Sequence, residues 1–448
     1  MKILFINAID PLSEVQYRWP NLGLGYLAGA IRGHFTGMDI KIIDRDAPQE
    51  IKAFRPDIIG ITAVSQNYNI AKEYARIAKL SGAFVIIGGM HISALPLTMT
   101  SDMDVAVIGE GEETIIEVIE HLFIPAKSTA KINEIKGIVW KINYGIFQND
   151  PRLLINPIDQ IKRPARDLLQ IRKQSSLFSS RGCPYRCTFC FSSRYWKQVR
   201  FFSAEYVAEE LREMASMGVK RVNFYDDLMI ADLDRLIKLH DIIVRDPVLS
   251  RMKFWLNARA NLVTDDTAEI MASMGVVSVG MGLESGNDRT LRYLKGGNVN
   301  VSDNGYAIHY LHKHGIAATA SFIIGSPDET EPEIMDTYNF IEKSGLDFVD
   351  VFPLIPFPAT PVWNEALSRG LVSNDMDWSR LNVYYTKRGP DPIIMSKHIS
   401  RQRMDELYKM FQRQRLRIAM RRAWFHPFFK EMVKAGIRKG FNSLRKAL

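Results

Sequence analysis

Cysteine is almost missing from this chain: there are three in 448 residues, all between positions 183 and 190. An odd set packed that closely excludes a disulfide framework. Also missing is any run of about 18 apolar residues, so no segment reads as a spanning helix. The opening Met1-Lys-Ile-Leu-Phe-Ile-Asn7 turns polar too soon for a secretory leader and reads as a first β-strand. Repeats and low-complexity tracts are lacking. Acidic residues run short only at one end. Residues 401–448 hold 14 Lys and Arg against 3 Asp and Glu, a surplus larger than the net charge of +8 for the whole chain. The remainder is therefore mildly acidic, and the basic character belongs to the tail. With 46% hydrophobic residues the chain can bury core enough for two or three domains. Thiols without disulfide partners imply a reducing compartment, so the expected location is cytoplasmic.

What is present centres on Ser179-Ser-Arg-Gly-Cys183-Pro-Tyr-Arg-Cys187-Thr-Phe-Cys190. Thiolates at this density read as metal ligands. Iron–sulfur clusters normally take four cysteines. Three from one loop would hold three irons of a 4Fe–4S cube and leave the fourth open to an outside ligand. Structural zinc is the alternative, and it needs a fourth ligand. No His lies in the loop, although a distant one could reach it.

Along the first 120 residues, strand-like runs alternate with helix-like runs. Strands are expected at Lys2–Asn7, Asp39–Asp44, Asp57–Val64, Phe84–Gly89 and Val105–Ile108, and helices at Leu22–Phe35, Asn69–Leu80 and from Glu112. Apolar strands separated by helices predict a doubly wound, Rossmann-like parallel sheet with ligands beyond the strands' C-terminal ends. Residues 126–174 read as a linker with a small hairpin turned at Asn143-Tyr-Gly145, followed by an extended, proline-bearing strap. Alternation resumes from 175 to about 370, with strands at Leu177–Ser180, Arg221–Tyr225, Phe254–Asn257, Val276–Gly282, Ala318–Gly325 and Phe348–Leu354. Residues 371–448 form a basic, helical C-terminal region.

The spacing Cys-x3-Cys-x2-Cys with Phe189 before the last cysteine resembles the signature loop of radical S-adenosylmethionine (SAM) enzymes. That resemblance implies a 4Fe–4S cluster whose open iron chelates SAM, and a 5′-deoxyadenosyl radical that takes hydrogen from the substrate. It also implies a partial (β/α)6 TIM-like barrel over 175–370, with its site at the strands' C-terminal ends. There Asp226 and Asp227 stand at the family's SAM amino-group motif. Arg259 suits the SAM carboxylate, Glu284 the ribose, and Phe189 with the Gly325 turn the adenine. A helix-capping Asp, a surface Arg and a Glu in a turn are the plainer readings of these residues.

Residues 1–125 are similar to the cobalamin-binding domain that precedes many such barrels. Thr62-Ala-Val64 matches its element after the third strand, Gly88-Gly89 its glycine pair, and Gly109-Glu110 the start of its turn after the fifth. Ala8–Asn21 contains no His, so the resemblance implies a cobalt without an imidazole ligand from that loop. An ordinary flavodoxin-like domain is the alternative. His91, just past a strand, is either a cobalt ligand or, more simply, a helix cap or a polar loop residue.

The resemblance as a whole implies a cobalamin-dependent radical SAM enzyme, first of all a methyltransferase acting at an unactivated carbon. Non-methylating cyclisation or rearrangement is the enzymatic alternative, and a cluster- and cobalamin-binding sensor the non-enzymatic one. A reductase, flavodoxin or ferredoxin would supply electrons. In the tail, apolar residues at helical spacing between Phe425 and Leu448 alternate with Lys and Arg, which suits peripheral contact with anionic lipid or docking on the barrel. Membrane contact would favour a hydrophobic or lipid-like small molecule as substrate. No recognition motif accompanies the charge, so no nucleic acid partner is expected.

Overall fold

Five apolar runs pair edge to edge as parallel strands in the first part of the chain. They are β1 (Lys2–Asn7), β2 (Asp39–Ile43), β3 (Ile58–Thr62), β4 (Phe84–Gly88) and β5 (Val105–Val107), in the order β2-β1-β3-β4-β5. Ile58, Ile59, Val85 and Ile87 are fully buried, as strands covered on both faces require. Chain direction across the sheet reverses between β1 and β3, so their C-terminal ends flank a crevice. The computed structural model describes residues 1–10, 19–124, 131–142, 145–383 and 391–422. Most of the loop after β1, the Asn143-Tyr144 hairpin tip and the tail segment 424–448 lie outside them.

Helices Leu22–His34, Tyr68–Leu80 and Glu112–Phe123 stand where the periodicity predicts them. Ala47–Phe54 and Met90–Ala94 are additional short helices. The Asn21 side chain caps Leu22–His34 by accepting from the Leu24 amide at 3.1 Å. The expected hairpin forms as β6 (Ile138–Ile142) and β7 (Gly145–Gln148), and it extends the first sheet rather than standing alone, because β6 pairs antiparallel with β5. Both faces of β6 are covered: Ile138 and Trp140 on one and Val139 on the other are buried.

Packing divides the chain into two compact units, Met1–Asp227 with Ile355–Ile393, and Leu228–Leu354 with Ile394–Leu448. The first therefore holds the first sheet and the three cysteines together. It also contains β8 (Gln174–Leu177) parallel to β11 (Arg221–Phe224), and the two-residue ladder of β9 (Ser180–Arg181) with β10 (Arg200–Phe201). Within the second unit, β12 (Lys253–Ala258), β13 (Val276–Glu284), β14 (Ala317–Ile324) and β15 (Phe348–Pro353) pair in sequence order, all parallel. Helices fill the crossovers, as parallel pairing requires. The helix Arg401–Arg422 packs within this unit, with Arg403 paired to Glu331 at 2.5 Å and Arg415 lying 3.0 Å from Asp350. Some of the tail's positive charge is thus spent on the unit's own carboxylates. Among the described residues no helix is long and apolar enough to cross a membrane.

Close approach of helix Leu22–His34 to the proline-bearing strap depends on Gly29. A Cβ there would stand 2.3 Å from the Arg163 carbonyl oxygen, which is backbone and cannot swing away. Gly29→Ala should therefore lower stability by about 1–3 kcal/mol in urea unfolding. A variant as stable as the parent would show that the strap yields freely.

Candidate functional site

The cysteine loop starts and ends on the β9–β10 ladder, in which Arg181 faces Arg200. Gly182 opens it with φ +97°, and a Cβ there would meet the Gln198 carbonyl oxygen at 2.6 Å, so closure of the loop requires glycine. Inside the loop the Cys190 amide donates to the Cys187 carbonyl at 3.3 Å, and Arg194 donates to the carbonyls of Cys187 and Cys190 at 3.1 and 2.5 Å. Val362 of the returning segment donates to Thr188 at 3.3 Å.

None of the three cysteines is in a disulfide, and each is half-buried. Burial first, and then negative charge on Cys187, Asp227 and Cys183, raise Cys190 to a pKa of about 11 against a backbone hydrogen bond at Ser192. Thiolates gathered in one short loop repel one another unless cations lie among them, which is what iron would supply. No three His, Cys, Asp or Glu side chains among the described residues converge as ligands of a single ion would. Thiolates binding three separate irons of a cube stand further apart than that. The donor set fits a cluster with one iron open.

Asp226 and Asp227, adjacent in sequence, do different things. Asp226 is buried and accepts from the Ser179 amide at 2.6 Å, Ser179 Oγ at 2.5 Å and Ser180 Oγ at 2.9 Å. It clamps the strand that feeds the loop. Asp227 is exposed, and its Oδ2 accepts from Ser192 Oγ at 2.5 Å. Of the two, Asp227 is the carboxylate with a solvent-facing side. Phe189 is half-buried within the loop.

At the C-terminal ends of the first sheet, Gly89 has φ +94°, and a Cβ on it would lie 2.4 Å from Thr62 Oγ1. Gly89 is thus required by the protein's own packing. Gly88 is not: a Cβ there would have its nearest neighbour, the Val107 carbonyl oxygen, at 3.9 Å. Open space beside a glycine with an ordinary backbone, next to the exposed Val64, is a cradle that a bound nucleotide tail would fill. Gly109 is left-handed at φ +80° with open space around it. Glu110, by contrast, is buried and turned into the protein, where it accepts from Arg181, Arg200 and the Ile155 amide.

His91 is fully buried, with Nδ1 3.1 Å from Ser65 Oγ and Nε2 3.1 Å from Thr98 Oγ1. Its ring stacks on Tyr68 at 3.7 Å and meets Trp378 edge-on at 4.4 Å. Both ring nitrogens are engaged, which leaves neither for cobalt, and the ring is a buried part of helix Met90–Ala94 rather than a polar loop residue.

In the second unit, Arg259 follows β12 and Glu284 ends β13, and the structure gathers them around Lys295. Arg259 Nη2 donates to the Lys295 carbonyl at 3.2 Å, and Lys295 Nζ donates to the Gly282 carbonyl. Glu284 sits at a register shift with φ +64°. Burial raises its pKa, while the charges of Lys295 and Arg259 hold it down. Gly325 closes β14 with φ +83°, and its amide and that of Ser326 donate to Glu329 at 2.7 and 3.0 Å. Lys295, Glu329, Arg181 and Arg200 are not among the residues that the sequence pattern singles out. Arg200 beside Phe201-Phe202 was the one visible signal, since a cation in an apolar strand demands a buried partner.

Residues 10–119 match the model for the B12 binding domain, and residues 177–341 that for the radical SAM superfamily. An uncharacterized methyltransferase of Pyrococcus horikoshii is 32% identical over 440 residues, which cover 91% of this chain and 92% of that protein. An anaerobic magnesium-protoporphyrin IX monomethyl ester cyclase of Cereibacter sphaeroides is 23% identical, covering 100% of this chain and 77% of the other. Among solved structures, the radical SAM methyltransferase TsrM of Kitasatospora setae superposes with a TM-score of 0.70 at 17% identity, over 82% of this chain and 76% of that one. At that identity the likeness concerns the fold.

Burial of His91 has a consequence in solution. Burial, with Lys72 nearby, lowers its pKa from 6.5 to about 3. Between those values the unfolded chain binds the extra proton, so stability falls as pH drops through that window, by up to about 1.4 kcal/mol per unit. Urea unfolding at pH 7, 6 and 5 should show a flatter dependence for His91→Gln than for the parent. Equal slopes would contradict the assignment of a buried, neutral ring.

Proposed function

The chain belongs to the radical SAM superfamily and carries a B12-binding domain ahead of its radical SAM segment, and on that premise we propose that it is a C-methyltransferase. The observation that carries this reading is structural. One compact unit joins the three-thiol loop to the turn after β5, at the ligand end of the B12-binding sheet. Two cofactor sites held in one packed body suit a reaction in which one supplies the radical and the other the transferred group.

Each residue then has a task. Cys183, Cys187 and Cys190 hold three irons and leave the fourth to SAM. Asp227 takes the SAM ammonium, because Asp226 is spent on Ser179 and Ser180. By the family resemblance, Arg259 suits the carboxylate, Glu284 the ribose hydroxyls, and Phe189 and Gly325 are each proposed as an adenine contact. Thr62, Val64, Gly88 and Gly89 line the cobalamin tail, and the Gly109-Glu110 turn closes its edge. When bound, SAM on the reduced cluster supplies a hydrogen-abstracting radical and cobalamin supplies the methyl group. The protein's own part is to place both against the substrate and exclude water.

The substrate we favour is a hydrophobic small molecule, on two grounds. The tail's composition suits a lipid surface, and a relative spanning the whole chain is named for a tetrapyrrole ester. That relative is a cyclase, which makes radical ring formation the second reading. Electrons would come from a reductase, flavodoxin or ferredoxin.

Anaerobic reconstitution should load about four irons per chain. Reduced protein given SAM with a deuterated methyl group should release 5′-deoxyadenosine and place label in the cobalamin fraction. Cys187→Ala should bring deoxyadenosine to background. Deoxyadenosine without label on cobalamin would favour the cyclase reading, and neither product would overturn the enzyme reading.

A further inference from the structure

Arg181 and Arg200 oppose each other across the two-residue ladder that closes the cysteine loop, so their side chains leave the same face. Two buried cations side by side repel, and each needs a carboxylate. Both find the same one. Glu110 Oε1 accepts from Arg181 Nη1 at 2.6 Å and Arg200 Nη2 at 2.8 Å, and Oε2 from Arg200 Nη1 at 2.9 Å. Glu112 takes the other arm of Arg181 at 2.5 Å. The four side chains are buried, and their formal charges cancel. Above the pair, Trp196 lies 5.4 Å from the Arg181 guanidinium and 5.8 Å from that of Arg200, while Tyr26 covers Arg181 at 5.0 Å.

Glu110 and Glu112 belong to the turn that leaves β5, where a ligand of the first sheet lies. A second link joins the same parts: Tyr195 Oη, inside the cysteine loop, donates to the Gly109 carbonyl at 2.7 Å. Gly109 itself is left-handed, with no atom within 4 Å of where a Cβ would stand. The Gly109 amide is held by Ser93 Oγ at 3.0 Å, while the turn's carbonyl and two carboxylates are tied to the loop. Anything that fixes the turn also fixes the loop base, and the reverse.

We infer that Glu110 and Arg181 are positioning residues that couple the two cofactor sites, so that cobalamin binding and cluster loading each strengthen the other. The inference rests on the cofactor reading proposed above. Neither residue touches the reacting atoms. Their work is to make the geometry of one site depend on occupancy of the other, and such a coupling must be reciprocal.

The test is to titrate hydroxocobalamin into the full-length protein, first without iron and then with the cluster reconstituted. The parent should bind about fivefold or more tightly with the cluster in place, the lower end of ordinary coupling. Arg181→Gln should shrink that ratio to about twofold or less while still binding cobalamin. Its reduced cluster should also give an electron paramagnetic resonance spectrum that cobalamin no longer perturbs. Should Arg181→Gln not fold, Glu112→Gln removes one acceptor and leaves the Glu110 contacts in place, and its ratio should fall between the two. Equal affinities in the parent, or an undiminished ratio in a folded variant, overturn the coupling. Failure of the parent to bind cobalamin in either state overturns the cofactor reading beneath it.

Discussion

A loop of three half-buried thiols is braced from within by Arg194, which donates to two of its carbonyls, and by the packed rings of Phe191, Tyr195 and Trp196. Its base is two arginines set opposite each other in a short antiparallel ladder. Buried cations are tolerated only when paired, and removing one partner of a buried ion pair costs about 3–5 kcal/mol. Here one carboxylate, Glu110, answers both cations and a backbone amide as well. The requirement to neutralise the loop base therefore ties the cysteine loop to the first sheet. Packing groups the cysteines with that sheet in one unit.

The same constraint explains what was legible in the sequence. Strands rich in Ile and Val with flanking glycines announce themselves, and β1, β3 and β4 fall within two residues of their expected bounds. The cysteine spacing is equally plain, because metal chemistry restricts which side chains can stand there. What sequence could not reveal was which polar residue faces which partner. Asp226 and Asp227 read as one motif, yet one clamps Ser179 and Ser180 while the other faces solvent. Glu110 read as part of a ligand turn, yet its carboxylate points inward to arginines 71 and 90 positions away. Long-range pairing of charges leaves no local periodicity. Lys295 escaped notice for the same reason, since its helix pattern looks ordinary until the strands bring Arg259 and Glu284 beside it.

A division of labour among the charges follows. In the first unit, Arg181, Arg200, Glu110 and Glu112 cancel one another and serve shape. In the second, Arg259, Lys295 and Glu284 leave a surplus of positive charge at strand ends, where an anionic group of a ligand would be drawn. Glu284 is held there by a left-handed backbone at a bulge, a conformation that non-glycine residues adopt only when the surroundings impose it. The glycines divide similarly: Gly29, Gly89 and Gly182 satisfy the protein's own packing, whereas Gly88 leaves space that the chain itself does not use.

The central claim is that the three-cysteine loop carries a cluster with one iron open to SAM. Its most direct measurement is electron paramagnetic resonance of the reduced, reconstituted protein before and after SAM is added. A ligand binding the open iron must change the g-values of a reduced 4Fe–4S signal, and SAM labelled at its amino nitrogen or carboxylate oxygen should add a resolvable hyperfine coupling. A spectrum indifferent to SAM, or stoichiometric zinc with no paramagnetic signal, would contradict the account.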